Sequence, residues 1–487
     1  MEQLKGLEPK VVWEYFEQIC KIPRLSKKEE QIIQFIVDFA KQHNLESKKD
    51  RAGNLLIKKC ASKGKENLKT VVLQSHVDMV GEKNQGTDHN FDTDPIQPYI
   101  EGDWVKAKGT TLGADDGIGI AAQLAILASD KIKHGPVECL FTVDEETGLT
   151  GAFALESGFF EGKILINLDS EDEGELFIGC AGGIDTIARI SYDKEHPPSE
   201  HMGYRLFVTG LNGGHSGDEI HKGFGNSLKI ANRFLWEISD NYDVRISTFT
   251  GGSARNAIPR EAEVQMAINK EDINDIQKFY SKFKEDIKNE LKATEPKLDI
   301  IFENIDMPKW VIDEDTQYDL INSLYACPHG VYAWSKEIED LVETSTNLAS
   351  IKMEEEERFF ITTSQRSSVE TAKRDIANMV ESVFTLAGAK VEHSSGYPGW
   401  QPNTDSEIMK ISRNAYKRLF HTDPEVKAIH AGLECGLFLQ KYPYLDMISF
   451  GPTIKGAHTP EEKISIETTE KFWKLLLEVM DNIPEDK

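Results

Sequence analysis

The chain has 487 residues, 39% of them hydrophobic, which exceeds one ordinary domain and suffices for cores in roughly two to four. Its 56 basic and 82 acidic residues leave a formal charge of -26, which argues against nucleic acid or an anionic membrane as the main partner. No N-terminal run has the pattern of a secretory signal, no stretch reaches the roughly 18 apolar residues of a spanning helix, and six cysteines without a Cys-x-x-Cys read as free thiols, so a soluble cytoplasmic protein is expected.

Residues 7–45 predict two amphipathic helices broken at Ile22-Pro23, with Ser26 capping the second and Glu29 at the capping-box position. "NLLIKKC" and "KTVVLQSHVDMV" read as strands, "GIGIAAQLAILASD" as a helix, "GPVECLFTVDEE" as a strand, "TGAFALES" as a helix start and "KILINLDS" as a strand. This alternation predicts an α/β domain with a mostly parallel central sheet, whose chemistry should collect beyond the carboxyl ends of the strands. After about residue 186 the character changes to "YRLFVTGLNGG", a long helical stretch, "AIPREAEVQMAINK", a charge-rich helix near 273–292, and "RFFITTSQRSS". The last stretch returns to strand and helix alternation. The expected organisation is a first catalytic part over 1–186, an inserted α+β domain over 187–403 and a second catalytic part over 404–487.

His76 and Asp78 interrupt the apolar run "VVLQSHVDMV", and buried polar groups need partners. Four further segments repeat this pattern: "TTLGADDGIGIA" with Asp115 and Asp116, "LFTVDEETG" with Glu145 and Glu146, "ILINLDSEDEG" with Asp169, and "GPTIKGAHTPEE" with His458. Any one alone is an ordinary helix cap or solvated turn. Together, two imidazoles and several carboxylates suit a pair of divalent ions, Zn2+ first, with Co2+ or Mn2+ able to substitute. Ions roughly 3.5–4 Å apart need a bridging ligand, and Asp115, in a glycine-flanked turn before a helix, is the choice. Asp116 is expected to cap that helix or bind backbone, and Asp78 to accept the second N–H of the His76 ring. Of the adjacent Glu145 and Glu146, one can bind metal while the other faces the bound water, since a carboxylate left free beside such a water can take its proton.

The set "SHVDMV", "GTTLGADDGIG", "DEETG", "NLDSEDEG", "GGHSG" and "GAHTPEE" resembles the M20 family of dinuclear metallopeptidases. "PIQPYI", "GCAGGID", "RNAIPRE", "YPGWQP" and "HAGLECGLF" extend the resemblance over nearly the whole chain to the aminoacyl-histidine dipeptidase branch, the Xaa-His dipeptidases. The resemblance implies a catalytic domain holding two metal ions and an inserted lid domain that covers the site and serves homodimer formation. It implies that His76 binds one metal, Asp115 bridges both, Glu145 is the general base, Glu146 binds one metal, Asp169 the other, and His458 completes the set. His215 in "GLNGGHSGDEIHKG" is implied to reach the active site and donate to the carbonyl oxygen as charge develops.

Further candidates for substrate binding are Asn256 in "ARNAIP", Arg366 in "TTSQRSS", where a bidentate guanidinium suits a free α-carboxylate, and His430 with Glu434 in "HAGLECG", where Glu434 could read a free amino terminus. His89, His134, His221 and Trp473 are expected to be structural or surface residues. The implied reaction is hydrolysis of a short, unblocked peptide, with preference for Xaa-His dipeptides including β-alanyl-histidine. Two rivals stay open: an aminoacylase or carboxypeptidase with the same metals, and a non-enzymatic binding or scaffold protein that keeps the fold. No Gly-x-x-x-x-Gly-Lys-Ser/Thr supports nucleotide binding.

Overall fold

In a computed structural model, which describes residues 3–354 and 356–486, the chain divides into two compact units. The first comprises Met1–Gly179, Pro402–Ala428 and Leu433–Lys487, and the second Cys180–Gln401 with Ile429–Gly432. The second unit is thus inserted in the first, and the short return at 429–432 assigns His430 to the second unit and Glu434 to the first.

Four parallel strands form the centre of the first unit's eight-stranded sheet, in the order Val137–Thr142, Val71–His76, Ile164–Asn167 and Asp446–Ser449. Leu55–Lys59 and then Glu46–Lys49 extend one side with antiparallel pairing, and Glu175–Cys180 pairs antiparallel on the other. Every residue of the first three central strands is buried, as near-continuous Val, Leu and Ile runs require of strands covered on both faces. The helix Ala114–Ala128 is buried from Ala114 to Leu127 and packs on the Lys10–Ile19 helix and the Val71–His76 strand. Its apolar character all round, with small residues at Gly117, Gly119, Ala121 and Ala122, fits a helix with no solvent face. A small antiparallel sheet of Ile454–Lys455, Lys463–Ser465, Trp104–Ala107 and Pro98–Glu101 carries the hairpin loop 456–462.

The second predicted helix spans Glu30–Gln42, but the expected capping box does not form. Ser26 donates to Asp78 Oδ2, and Glu29 accepts from the Lys27 and Asp144 N–H groups. Contacts far along the chain have taken both side chains from the local role that sequence spacing suggests.

The second unit is α+β. Its nine-stranded sheet pairs antiparallel throughout, with His201–Thr209, Ala262–Asn269, Val244–Gly251, Val342–Glu354, Arg358–Ser367 and Gly182–Ser191 among its strands. Helices Ser227–Asn241 and Glu370–Leu386 pack on that sheet around a core containing Phe234, Phe249, Phe359 and Phe384. Asn226 caps the first of these helices by accepting from the N–H groups of Leu228 and Lys229. Among the described residues, no helix is long and apolar enough to cross a membrane.

Candidate active site

The parallel register explains why residues far apart in sequence meet. His76 ends one strand opposite Thr142, the last residue of its neighbour, and Gln74 lies opposite Asn167 on the other side. Glu145 and Glu146 follow Thr142 within one turn, and Asp169 follows Asn167 by two residues, so all emerge at the same edge. Asp115 comes from the start of the buried helix, where its backbone angles and those of Asp116 are non-helical. His458 comes from the hairpin loop, with a left-handed φ of 63° that is uncommon outside glycine.

Asp115 links two groups of side chains. His76 Nε2 lies 3.0 Å from Asp115 Oδ1 and 3.3 Å from Asp169 Oδ1. His458 Nε2 lies 3.1 Å from Asp115 Oδ2 and 3.0 Å from Glu146 Oε2. The ligand atoms of His76, Asp115 and Asp169 all fall within 4.8 Å of one another, and so do those of Asp115, Glu146 and His458. One carboxylate therefore offers a separate oxygen to each of two three-residue sets. Glu145 belongs to neither set, although it does group with His76 and Glu146.

The electrostatics call for cations. Burial opposes ionisation of His76, but the Asp169 carboxylate and the contacts to Asp115, Asp169 and Asp78 outweigh it and hold the imidazole well above its ordinary value. Contacts with Asp115 and Glu146 push His458 up to about 11. Burial, followed by Asp169, Glu434 and Glu146, raises Glu145 well above the usual carboxylate range, and burial likewise raises Asp169. Without ions the cluster holds protons. Four carboxylates against two imidazoles would remain short of positive charge once those protons leave, and Glu146 Oε1 is buried without a hydrogen-bond partner among the described residues. Oxygen and imidazole donors, one shared carboxylate and an orphaned carboxylate oxygen fit a pair of divalent ions.

Asp78 is fully buried and does more than its sequence position suggests. Its Oδ1 faces His76 Nδ1 at 3.3 Å and accepts the Glu145 N–H at 3.0 Å, while Oδ2 accepts from Ser26 Oγ and the Glu146 N–H. One carboxylate thus orients the ring and both glutamates. Asp116 caps its own helix, accepting from the Gly119 N–H. Glu29 and Asp144 form a further acidic group with Asp78, but hydroxyls of Thr147 and Thr150 and nearby N–H groups hold these carboxylates.

The description of Peptidase family M20/M25/M40 matches residues 72–482. The chain belongs to this family. It is 44% identical over 484 residues to the cytosol non-specific dipeptidase of Escherichia coli K12, covering 99% of this chain and 100% of that protein. It is 46% identical to the crystal structure of aminoacylhistidine dipeptidase from Vibrio alginolyticus, with a TM-score of 0.92 and 99% of each chain covered. A tripeptidase from Staphylococcus aureus Mu50 shares the fold at 16% identity and a TM-score of 0.57, covering 98% of this chain and 99% of that one. A member of this family is a peptide hydrolase, and the α/β fold agrees with the sequence reading.

Glu434, 1% exposed, heads a buried polar chain in the first unit. Its Oε2 accepts from Gln74 Nε2 and Thr142 Oγ1, Gln74 Oε1 accepts from Asn167 Nδ2, and Asn167 Oδ1 accepts from Ser449 Oγ. Burial pushes the Glu434 carboxyl up to about 7, and its Oε1 has no hydrogen-bond partner among the described residues.

Four candidates lie in the second unit. His215 Nδ1 lies 3.2 Å from the Asp218 backbone nitrogen and 3.2 Å from Asp218 Oδ2, so Asp218 anchors that edge of the ring. The Ser216 N–H donates to the Asn256 carbonyl, while Asn256 itself is exposed. Arg366, 7% exposed, donates to Tyr397 Oη at 2.9 Å, and its Nε has no partner among the described residues. His430 Nε2 pairs with Ser345 Oγ at 2.7 Å, and burial lowers its pKa to about 3, with Arg366 adding to the effect. His215, Arg366 and His430 converge on Gly217, where a Cβ would lie 2.4 Å from the His430 carbonyl oxygen and 3.1 Å from His215 Cε1. Sequence reasoning missed Tyr397, although it stands in the quoted segment "YPGWQP".

Proposed function

We propose that the chain is a metal-dependent dipeptidase acting on unblocked dipeptides, Xaa-His and β-alanyl-histidine among them, in the cytoplasm. The observation that carries this reading is the shared Asp115, flanked by two imidazole-bearing sets and by Glu145, which is left outside both. His76, Asp115 and Asp169 would hold one ion and Asp115, Glu146 and His458 the other, with Zn2+ best suited to mixed imidazole and carboxylate donors and Mn2+ or Co2+ as substitutes. Such ions acidify a bound water and polarise a carbonyl.

Glu145 is the general base. Burial and its carboxylate neighbours make it basic enough to take a proton, and the same oxygen returns it to the departing amine. Asp78 keeps Glu145 in place through the backbone N–H. His215 supplies a donor for the developing oxyanion, and Arg366 a guanidinium for the substrate carboxylate, with Asn256 and His430 contributing beside them. Glu434 is assigned the free amine through its unshared Oε1; at 1% exposure it requires neighbouring groups to move before an ammonium can reach it. The second unit acts as the lid and as the surface through which two copies associate.

The test is a panel of alanyl-histidine, β-alanyl-histidine, a tripeptide and an N-acetylated dipeptide offered to protein stripped of metal and reloaded. The free dipeptides should be cleaved and the others should not. Equal cleavage of the acetylated compound would remove the amine assignment and favour an aminoacylase, while cleavage of the tripeptide alone would overturn the dipeptide reading.

A further inference from the structure

The loop that carries His458 ends in Glu462, and this residue has no part in the chemistry described so far. It is 2% exposed, and its carboxylate receives four consecutive backbone N–H groups from the segment that leads into Asp115. Oε2 accepts from Leu112 at 2.7 Å and Gly113 at 3.0 Å, and Oε1 from Ala114 at 2.7 Å and, at a longer 3.4 Å, from Asp115 itself. Gly113 has a left-handed φ of 69°, which turns these N–H groups to one side, and a Cβ there would meet Arg24 Nη2 at 2.6 Å. The guanidinium of Arg24, itself buried, holds the other face of the segment by donating to the Gly113 carbonyl and to the carbonyls of Val77 and Asp78.

We infer that Glu462 is a positioning residue for the dinuclear centre: it clamps the turn bearing Asp115 to the hairpin bearing His458, and so fixes the bridging carboxylate between the two ligand sets. The inference rests on the two-ion reading above. Hydrogen bonds from neutral N–H groups to a buried carboxylate are charge-assisted, and a chain of four tolerates little lateral movement. Asp115 serves both sets through different oxygens, so loosening its turn should weaken both ions together instead of one. An amide at position 462 keeps the size but turns one acceptor into an NH2 group facing N–H donors.

The experiment titrates Mn2+ alone into the full-length metal-free protein and reads the electron paramagnetic resonance of free and bound ion for wild type, E462Q and, as a neighbouring exposed control, E461Q. Wild type and E461Q should bind two ions with a spin-coupled signal. E462Q should bind both ions about 10–100-fold more weakly, or with the coupling lost, while its circular dichroism is unchanged. E462D, which keeps the charge but recedes by one methylene, should fall between, and it replaces E462Q should the latter not fold. Two coupled ions at wild-type affinity in E462Q, or in E462D where that variant stands in, would overturn the inference. Failure of the wild type to bind two ions would instead overturn the reading on which it rests.

Discussion

Asp78 shows how much of this site depends on a residue that would touch neither substrate nor metal. Its carboxylate faces the His76 ring and accepts the N–H groups of Glu145 and Glu146, so replacing it with asparagine removes the charge and turns an NH2 group either on His76 and the Glu145 N–H, which share Oδ1, or on the Glu146 N–H, which uses Oδ2. D78N should weaken metal binding by about 10–100-fold and lower kcat even at saturating metal, measured by chelator competition and steady-state kinetics. The ring contact was legible from the two-residue spacing; the two backbone contacts were not, because they depend on where the Glu145 turn folds back. In the second unit, G217A tests the convergence of His215, Arg366 and His430. A Cβ placed 2.4 Å from the His430 carbonyl must push that segment or its own loop aside, so kcat/KM should fall while metal content stays at the wild-type level.

The parallel strands bring four separate sequence segments to one edge, and the helix Ala114–Ala128 is held at both ends by charged side chains. Glu462 receives N–H groups at its start, and Lys59 Nζ donates to the carbonyls of Ile126, Leu127 and Ser129 at its finish. K59M, which keeps the stem and removes the donors, should lower stability by about 1–3 kcal/mol in urea unfolding, with little effect on kcat. The strand and helix alternation was legible because buried parallel strands are short runs of Val, Ile and Leu between turn residues, and the clustered histidine and carboxylate residues stood out as polar exceptions near their ends. The capping box at Ser26 and Glu29 misled because the same residue types serve as long-range partners of Asp78 and Asp144. Glu462 and Arg24 carried no local pattern, since their partners are backbone groups roughly 350 and 90 residues away.

Across the whole molecule, a charge of -26 surrounds a site that itself concentrates acid, so metal and pH should act on stability together. Glu171 is pushed up to about 8 by burial and then by the Asp115 carboxylate. Its folded value lies above its unfolded one, so the stability it contributes is fully present below the ordinary glutamate range near 4.5 and is lost as pH rises through about 8. Metal-free protein should therefore melt at progressively lower temperature from pH 5 to pH 8.5, E171Q should flatten part of that slope, and added Zn2+ should shrink it by supplying the missing positive charge. In the proposed mechanism Glu145 moves the proton while six other groups hold ions and ring in place. The most direct test is kcat for alanyl-histidine by E145Q, with bound metal counted in the same sample. Two ions per chain with kcat reduced by about 10²–10⁴-fold is the predicted result, and wild-type turnover by the fully loaded variant would contradict it.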